Sequence, residues 1–309
     1  MVTKIVHRIS IPKNLLTLIL FHFIGLTVSI IFLNGCSYSS PNLDAGSSQT
    51  LKVVMATKVL RPGTQRVSFL AITPKSYLNT PNVVVKSYFG TSETTPYEIK
   101  TAHFNSWPYG SRGSYTTDLS FDRIGFWTLK VEEQENLSSA KIQVEVTEGF
   151  DIPDVNSKAP LSKNRTISAS DPIETLTSAI EKDPDLYSIS IDQAISNPLP
   201  TVIVFSTPSF CTSPTCGPQL ASVQKLKSKY KPQVNFIHIE IYGNPQEING
   251  DLSHAEFSTT VIEWNLNNLP GWINESWVFT IDKKGYIVER FEGYATTYEL
   301  EQSLLSILN

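Results

Sequence analysis

Residues 201–220 read TVIVFSTPSFCTSPTCGPQL, and this stretch carries the clearest structural signal in the chain. Its first part, Thr201–Phe205, is almost wholly apolar, as is typical of a β-strand that is buried on both faces. A short polar segment with Cys211 and Cys216 follows, and beyond Cys216 the apolar residues recur at helical spacing. The stretch therefore predicts a buried strand, a loop that carries two cysteines, and a helix.

The start of this helix can be placed from Pro218, because proline has no backbone N–H to donate. If Thr215 is the N-cap, Cys216 is the first helical residue and Pro218 is the third, where no N–H is needed. Cys216 then lies at the positive end of the helix dipole, where a thiolate is stabilised. The turn between Cys211 and Cys216 also permits the Cα separation of roughly 4.4–6.8 Å that a disulfide requires.

Strand and helix patterns alternate through the rest of the C-terminal half. The predicted elements are strands at 234–242, 277–281 and 286–291 and helical segments at 172–180, 191–196, 254–264 and 297–308. Gly285 can take the positive φ of a hairpin turn, and Thr296 and Glu299 form a capping box. The order β-α-β-α-β-β-α predicts an α/β domain, and it resembles the element order of the thioredoxin core.

The cysteine motif resembles that of thioredoxins. Cys216-Gly217-Pro218 matches the start of their Cys-Gly-Pro-Cys motif, but Gln219 stands where the second cysteine would be, and Cys211 supplies the partner. The resulting Cys-x4-Cys spacing is neither the Cys-x2-Cys of thioredoxins nor the Cys-x3-Cys of Sco-type copper-delivering proteins. Residues 155–309 as a whole resemble the extracytoplasmic thioredoxin-like domains of bacterial lipoproteins.

This resemblance also implies where a substrate would dock. Thioredoxins place a cis-proline immediately before the strand that faces the cysteines, and Ser276 falls at that position in this sequence. A cis bond before a residue other than proline costs about 2.5–4 kcal/mol, so we expect a trans bond here. The resemblance implies that Phe210, Glu275, Ser276 and Trp277 lie beside the cysteines as substrate-docking residues.

Three functions are compatible with the cysteine pair. The main hypothesis is thiol-disulfide exchange with protein thiols or disulfides, in which one thiolate attacks a partner and the other resolves the mixed disulfide. The helix position favours Cys216 as the attacking thiol, whereas the resemblance favours Cys211. The second hypothesis is a non-catalytic surface binding or adaptor lipoprotein with a structural disulfide. The third is copper(I) handling, in which His103, His238 or His254 would join the two sulfurs. The main hypothesis needs no cofactor and no metal.

Residues 1–35 are predicted to be a signal peptide. A basic, polar start precedes an apolar run at 15–33, and Leu33-Asn34-Gly35-Cys36 resembles the lipobox of bacterial lipoproteins. That resemblance implies that Cys36 is lipidated after cleavage and anchors the protein at the cell membrane, on the extracytoplasmic face. Residues 36–50 are rich in serine and predict a flexible tether. An uncleaved signal anchor is the alternative, because the apolar run could also span a bilayer.

Residues 51–148 are predicted to be an all-β domain. They contain seven short runs rich in β-branched and aromatic residues, separated by turn signals, as is typical of a β-sandwich. The stretch GFWTLKV at 125–131 resembles the penultimate strand of immunoglobulin-like modules on bacterial surface proteins, so we expect an immunoglobulin-like sandwich. Residues 149–170 predict a linker to the thioredoxin-like domain at 171–309. The sequence therefore predicts two domains, with no catalytic group evident in the first.

The charge of the chain argues against nucleic acid as a partner. The 309 residues include 25 Lys and Arg against 29 Asp and Glu, a net charge of −4. Without residues 1–35, 22 basic and 29 acidic residues remain, which gives −7. Phosphate binding needs clustered positive charge, and the sequence contains no basic stripe of that kind.

Overall fold

The computed structural model describes residues 51–92, 94–108, 112–135 and 137–308. The predicted signal peptide, the tether and Cys36 lie outside these ranges. No helix within them is long and apolar enough to cross a membrane.

Seven strands from the first half of the described chain form one sheet. They are β1 (Lys52–Met55), β2 (Gly63–Ile72), β3 (Asn82–Phe89), β4 (Glu98–Ser106), β5 (Gly113–Phe121), β6 (Gly125–Glu133) and β7 (Ser138–Val146). Each strand falls within one of the seven runs predicted from the sequence or overlaps it. All neighbouring strands pair antiparallel, in the order β1-β2-β5-β4-β3-β6-β7.

The sheet curls until its two edges approach each other. The edge strands β1 and β7 are in contact, and Leu60, which follows β1, forms a bridge with Val146 at the end of β7. The strands thus belong to one nearly closed sheet with a common interior, in which Trp127 is fully buried. An immunoglobulin-like sandwich of two separate sheets is therefore not confirmed.

The second half of the described chain forms a four-stranded sheet with helices. The strands are β8 (Thr201–Ser206), β9 (Asn235–Glu240), β10 (Trp277–Ile281) and β11 (Ile287–Glu292). The helices are α1 (Ile191–Ile195), α2 (Cys216–Tyr230), α3 (Thr259–Glu263) and α4 (Thr297–Leu308). The sheet order is β11-β10-β8-β9, with β8 and β9 parallel and the other pairs antiparallel. This is the succession of strands and helices predicted from the sequence.

Two of the predicted helices are shorter than expected. The segment at 254–264 is helical only over Thr259–Glu263, because Ser258 caps its start and Asn265 takes a left-handed φ of 57° immediately after it. The segment at 172–180 contains only one 3₁₀ turn, Ile173–Thr175.

The four-stranded sheet is covered on both faces. Every residue of β8 is buried, as predicted for the run at 201–205. One face packs against α3 and an aromatic group that includes Trp264 and Phe279. The opposite face packs against α2 and α4 through residues such as Val223 and Leu304. The segment 207–215, which carries Cys211, leaves the sheet at the end of the buried strand β8.

Polar contacts join the two sheets, and the described residues form one compact unit. The buried carboxylate of Glu292, at the end of β11, accepts hydrogen bonds from the backbone N–H groups of Lys58 (2.9 Å) and Val59 (3.1 Å). Arg66 of β2 pairs with Glu299 of α4 at 2.7 Å. The predicted division into two domains is therefore not confirmed.

Candidate functional site

The two cysteines form a disulfide at the junction between β8 and α2. The Cα atoms of Cys211 and Cys216 are 6.0 Å apart. Helix α2 begins at Cys216, with Thr215 as the preceding residue and Pro218 in the first turn, as predicted. Thr215 is itself helical in conformation, and its side chain does not cap the helix. The segment 207–215, called the cysteine loop below, therefore runs directly into the helix.

The two sulfur-bearing residues differ in their access to solvent. Cys211 is partly exposed, whereas Cys216 has no exposed surface. A partner sulfur can approach a disulfide only along the axis of the S–S bond and from an open side. The exposed Cys211 is thus the sulfur that a partner molecule can reach.

Asn274 fixes the cysteine loop from the other side of the site. Its side chain is fully buried, and its Oδ1 accepts hydrogen bonds from the N–H of Thr212 (2.9 Å) and from the hydroxyl of Thr212 (2.8 Å). Its Nδ2 donates to the carbonyl of Phe210 (2.7 Å) and to the hydroxyl of Tyr242 (3.0 Å). The residues on both sides of Cys211 are thus held by one amide group.

The backbone carbonyl of Asn274 faces both sulfurs. Its oxygen lies 3.3 Å from Sγ of Cys216 and 3.7 Å from Sγ of Cys211. When the disulfide is reduced, this oxygen can accept a hydrogen bond from the thiol of Cys216. Sequence reasoning did not single out Asn274, although it lies two residues before the position at which thioredoxins carry their cis-proline.

The four residues predicted to dock a substrate occupy different environments. Phe210 is half-buried in the cysteine loop, and its ring centre is 6.4 Å from that of Tyr242. Glu275 follows Asn274, is half-buried, and lies 3.8 Å from the Lys58 ammonium group. Phe210 and Glu275 thus lie next to the residues that hold the disulfide.

Ser276 and Trp277 are directed into the protein. Ser276 is fully buried and donates a hydrogen bond to the carbonyl of Gly293 (3.3 Å). Trp277 is 1% exposed and stacks on Phe279 inside the core. The described residues contain no cis peptide bond, so the bond before Ser276 is trans, as predicted.

A series of aromatic rings leads away from the cysteine loop. The ring of Phe210 is followed by those of Tyr242, Phe257 and Trp272. The ring centres are 5.7 Å apart in the stacked pair Tyr242–Phe257 and 5.9 Å apart in the stacked pair Phe257–Trp272. Phe257 is 36% exposed. Ile273, which follows Trp272 in the sequence, is 53% exposed. Tyr242 and Trp272 are buried, so the exposed apolar area of this region comes mainly from Phe257 and Ile273.

A buried carboxyl group supports the cysteine loop from within. Glu240, at the end of β9, accepts hydrogen bonds from the backbone N–H (2.7 Å) and the hydroxyl (2.8 Å) of Ser178. The same hydroxyl oxygen accepts a hydrogen bond from the N–H of Ser209 in the loop (3.1 Å). Burial raises the pKa of Glu240 to about 7, against the opposing effect of the hydrogen bonds from Ser178.

Comparison with known proteins gives only remote likenesses. No protein-family model matches the chain, and no curated protein matches it. Similar solved structures include a thiol:disulfide interchange protein of the thioredoxin family from Chlorobium tepidum TLS. It is 12% identical, with a TM-score of 0.29, and the match covers 37% of this chain and 82% of that one.

Two further solved structures show lower TM-scores. The PKD domain of the human VPS10 domain-containing receptor SorCS2 is 15% identical, with a TM-score of 0.20 and coverage of 38% of this chain and 97% of that one. An engineered protein is 12% identical, with a TM-score of 0.22 and coverage of 34% and 21%. These scores are too low to support a shared fold, so the function is argued from the site itself.

The histidines do not complete a metal site with the cysteines. His238 is buried, with Nδ1 2.5 Å from the hydroxyl of Tyr187 and Nε2 2.8 Å from that of Ser206. Burial lowers the pKa of His238 to about 4, so its ring is neutral near pH 7. Nowhere in the described part of the chain do three His, Cys, Asp or Glu side chains group as a metal centre requires.

Proposed function

We propose that the C-terminal half of the chain is a thioredoxin-like module that exchanges disulfides with partner proteins. The observation that carries this proposal is the disulfide at the junction of β8 and α2, with Cys211 partly exposed and Cys216 fully buried. The sheet order β11-β10-β8-β9, with the cysteines after the central strand, supports the thioredoxin-like assignment. An immunoglobulin-like character of the first sheet stays a prediction.

In the proposed reaction, Cys211 is the sulfur that meets the partner. A partner thiolate attacks Sγ of Cys211, and the Cys211–Cys216 bond breaks as the mixed disulfide forms. Cys216 leaves as a thiolate and takes up a proton, after which its thiol can donate to the Asn274 carbonyl. The second thiolate of the partner then attacks the partner sulfur and releases Cys211. The partner is oxidised to a disulfide, and the protein is reduced to a dithiol. Reaction with a disulfide of another partner reverses these steps.

The hydrogen bonds of the cysteine loop favour a disulfide that is repeatedly reduced and re-formed over one that serves only to stabilise the fold. A disulfide that closes a loop of only six residues stabilises a fold by about 2 kcal/mol on chain-entropy grounds, less than one that closes a long loop. The hydrogen bonds of Asn274 and Ser178 already hold the loop in place without the S–S bond. The fold thus has little need of the bond for stability, which leaves the bond available for exchange.

The decisive experiment compares two single-cysteine variants of the full chain. Cys216→Ser leaves Cys211 exposed with no resolving thiol, so we expect it to accumulate a mixed disulfide with partner proteins at the membrane. Cys211→Ser leaves only the buried Cys216, so we expect at least tenfold less of this product. Equal trapping by both variants would contradict the assignment of Cys211. No trapping, together with a reduction potential below about −300 mV, would show a static bond.

We further propose that the module works at the extracytoplasmic face of the cell membrane, anchored by lipid on Cys36. The support is the signal-peptide pattern of residues 1–35 and the Leu-x-Gly-Cys motif that ends it. Mass spectrometry of the protein from membranes should find an acylated Cys36 at the N-terminus. A chain with residues 1–35 intact would contradict the lipoprotein assignment and favour the signal anchor.

A further inference from the structure

Lys58, in the segment between β1 and β2, reaches the residues that hold the cysteine loop. Its ammonium group donates a hydrogen bond to the carbonyl of Gly271 (2.5 Å) and lies 3.8 Å from a carboxylate oxygen of Glu275. Gly271 and Glu275 are the two ends of residues 271–275, called the Asn274 segment below. Lys58 therefore joins the first half of the described chain to the segment that contacts the cysteines.

Glu275 also ties the Asn274 segment together from within. Its backbone carbonyl accepts a hydrogen bond from the indole N–H of Trp272 (2.9 Å), and its Oε2 accepts one from the N–H of Ile273 (3.3 Å). The other carboxylate oxygen, Oε1, faces the ammonium group of Lys58. Lys58 thus contacts both the start of the segment and the side chain that holds its remaining residues in one conformation.

The backbone at Lys58 is itself fixed on the second sheet. The N–H groups of Lys58 and Val59 donate to the buried carboxylate of Glu292, and Val59 is 3% exposed within the apolar core of that sheet. The Lys58 side chain is 33% exposed, and an exposed ion pair between two mobile side chains contributes little to stability. Because Lys58 starts from a fixed backbone and one of its acceptors is a backbone carbonyl, less conformational freedom is lost when its contacts form.

The Asn274 segment presents a backbone oxygen to both sulfurs. The carbonyl of Asn274 lies 3.3 Å from Sγ of Cys216 and 3.7 Å from Sγ of Cys211. The disulfide has no hydrogen to donate to this oxygen, whereas the thiol of Cys216 in the dithiol can donate one. A carbonyl that is held at this position therefore stabilises the reduced form relative to the oxidised form. If the segment relaxes and the oxygen moves away, this stabilisation is lost.

We propose that Lys58 is a positioning residue of the redox site, through which the first half of the chain sets the equilibrium between the Cys211–Cys216 disulfide and the dithiol. Lys58 acts through Gly271 and Glu275 on the carbonyl of Asn274. This inference rests on the proposed exchange reaction and gives the first sheet a part in it. Loss of the Lys58 contacts should shift the equilibrium toward the disulfide.

The test measures this equilibrium at neutral pH in the full chain in detergent micelles. Two glutathione thiols reduce the protein disulfide and become one glutathione disulfide, so the composition of the glutathione buffer sets the fraction of dithiol. Alkylation and mass spectrometry of the peptides that carry Cys211 and Cys216 measure this fraction. If glutathione is too weak a reductant, the dithiothreitol couple replaces it. We expect Lys58→Met to lower the equilibrium constant for reduction about threefold to tenfold, the scale of one net hydrogen bond.

Matched variants separate this role from a general effect on the fold. Lys58→Arg keeps the charge and the donors, so its equilibrium constant should stay close to that of the parent chain. Lys52→Met removes an exposed lysine of β1 and should leave the constant unchanged. A purely structural role would lower the free energy of unfolding of Lys58→Met, measured in urea, without moving the redox equilibrium. Should Lys58→Met fail to fold, Lys58→Gln replaces it, with the same expectation.

Two outcomes overturn the inference. One is an equilibrium constant for reduction of Lys58→Met that equals or exceeds that of the parent chain, and the other is a Lys58→Arg variant that shifts as far as Lys58→Met. Neither outcome depends on trapping a partner, because a disulfide that never exchanges in the cell still has an equilibrium with glutathione. The proposed function fails instead when Cys216→Ser traps no partner, so the two failures are distinguishable.

Discussion

Asn274 stabilises the cysteine loop through one side chain that uses every one of its strong hydrogen-bonding positions. Its oxygen accepts two hydrogen bonds from Thr212, and its nitrogen donates one to Phe210 and one to Tyr242. An aspartate could not donate, and an alanine could do neither. Only an amide of this length satisfies a carbonyl, a hydroxyl and an N–H in one buried position.

The replacement Asn274→Ala should therefore lower the free energy of unfolding by about 2–4 kcal/mol, since buried partners lose their hydrogen bonds. The matched control is Thr212→Val, which removes one hydroxyl but keeps the backbone N–H bond, and should cost at most about 1.5 kcal/mol. Urea unfolding of the oxidised proteins measures both. A loss below 1 kcal/mol for Asn274→Ala, on the scale of a single hydrogen bond, would show that the amide does not hold the loop.

Glu240 makes stability depend on pH in a direction that can be derived from its burial. Its pKa in the folded protein is about 7, above its ordinary value of 4.5. Below pH 4.5 the carboxyl group is protonated in both the folded and the unfolded protein, so its burial does not lower the free energy of unfolding through ionisation. Between about pH 4.5 and 7 the unfolded protein has released the proton while the folded protein keeps it, so the free energy of unfolding falls as the pH rises through this range and levels off above it.

We expect Glu240→Gln to remove this penalty, because a glutamine can still accept the hydrogen bonds from Ser178. The variant should be more stable than the parent chain by about 2–3 kcal/mol at pH 8, and the difference should shrink toward pH 5. Denaturant unfolding at the two pH values measures it. Glu263→Gln, at an exposed position of α3, serves as the control and should show no such dependence. A difference that is constant with pH would contradict the role assigned to Glu240.

The residues of the site fall into two groups, according to whether the neighbouring sequence predicts their place in the site. Cys211, Cys216 and the start of α2 were predicted, because the strand, the two thiols and Pro218 lie within one short stretch. Asn274 and Glu240 were not predicted as parts of the site. Each reaches the cysteine loop across the sheet, and their polar side chains in loops or strand ends carry no pattern that indicates a distant partner.

At the scale of elements, the strands were the most predictable part of the fold. Every strand of the two sheets overlaps a run of apolar or alternating residues, because such a run depends only on which faces of the strand itself are buried. The pairing of the first seven strands was not predictable in this way. In the order β1-β2-β5-β4-β3-β6-β7, β2 pairs with β5 and β3 pairs with β6, which are distant in sequence, and a single sequence contains no record of which runs pair.

Helix α4 provides a test of how the second sheet is covered. Leu304 is fully buried against the sheet, whereas its neighbour Leu305 is 40% exposed. Leu304→Ala should lower the free energy of unfolding by about 2–5 kcal/mol through lost burial and a cavity. Leu305→Ala should change it by about 0.5 kcal/mol or less, since alanine keeps the helix propensity. Chemical denaturation compares the two, and equal losses would show that α4 does not pack as described.

At the scale of the whole molecule, the two sheets are joined mainly by charged and backbone groups. Arg66 reaches from β2 to Glu299 of α4 (2.7 Å) and to the carbonyl of Tyr294 (2.8 Å), and Glu292 receives two backbone N–H groups from the first half. The side chain of Arg66 is only 9% exposed. The apolar core of the second sheet also includes Val59 from the first half, whereas the core of the first sheet is separate. The coupling of the two sheets therefore depends on a small number of polar contacts and on this apolar contact of Val59.

This arrangement predicts that residues 48–309 unfold in one transition and that Arg66→Ala divides it. Loss of the guanidinium leaves Glu299 without its partner across the interface and should weaken the coupling by about 2–4 kcal/mol. In calorimetry, the parent chain should give one peak and the variant two, because each sheet can then melt by itself. Arg123→Ala, at the exposed turn between β5 and β6, should leave the single peak unchanged. Two peaks already in the parent chain would mean that the polar contacts do not couple the sheets, and one unaltered peak in Arg66→Ala would mean that other contacts do so.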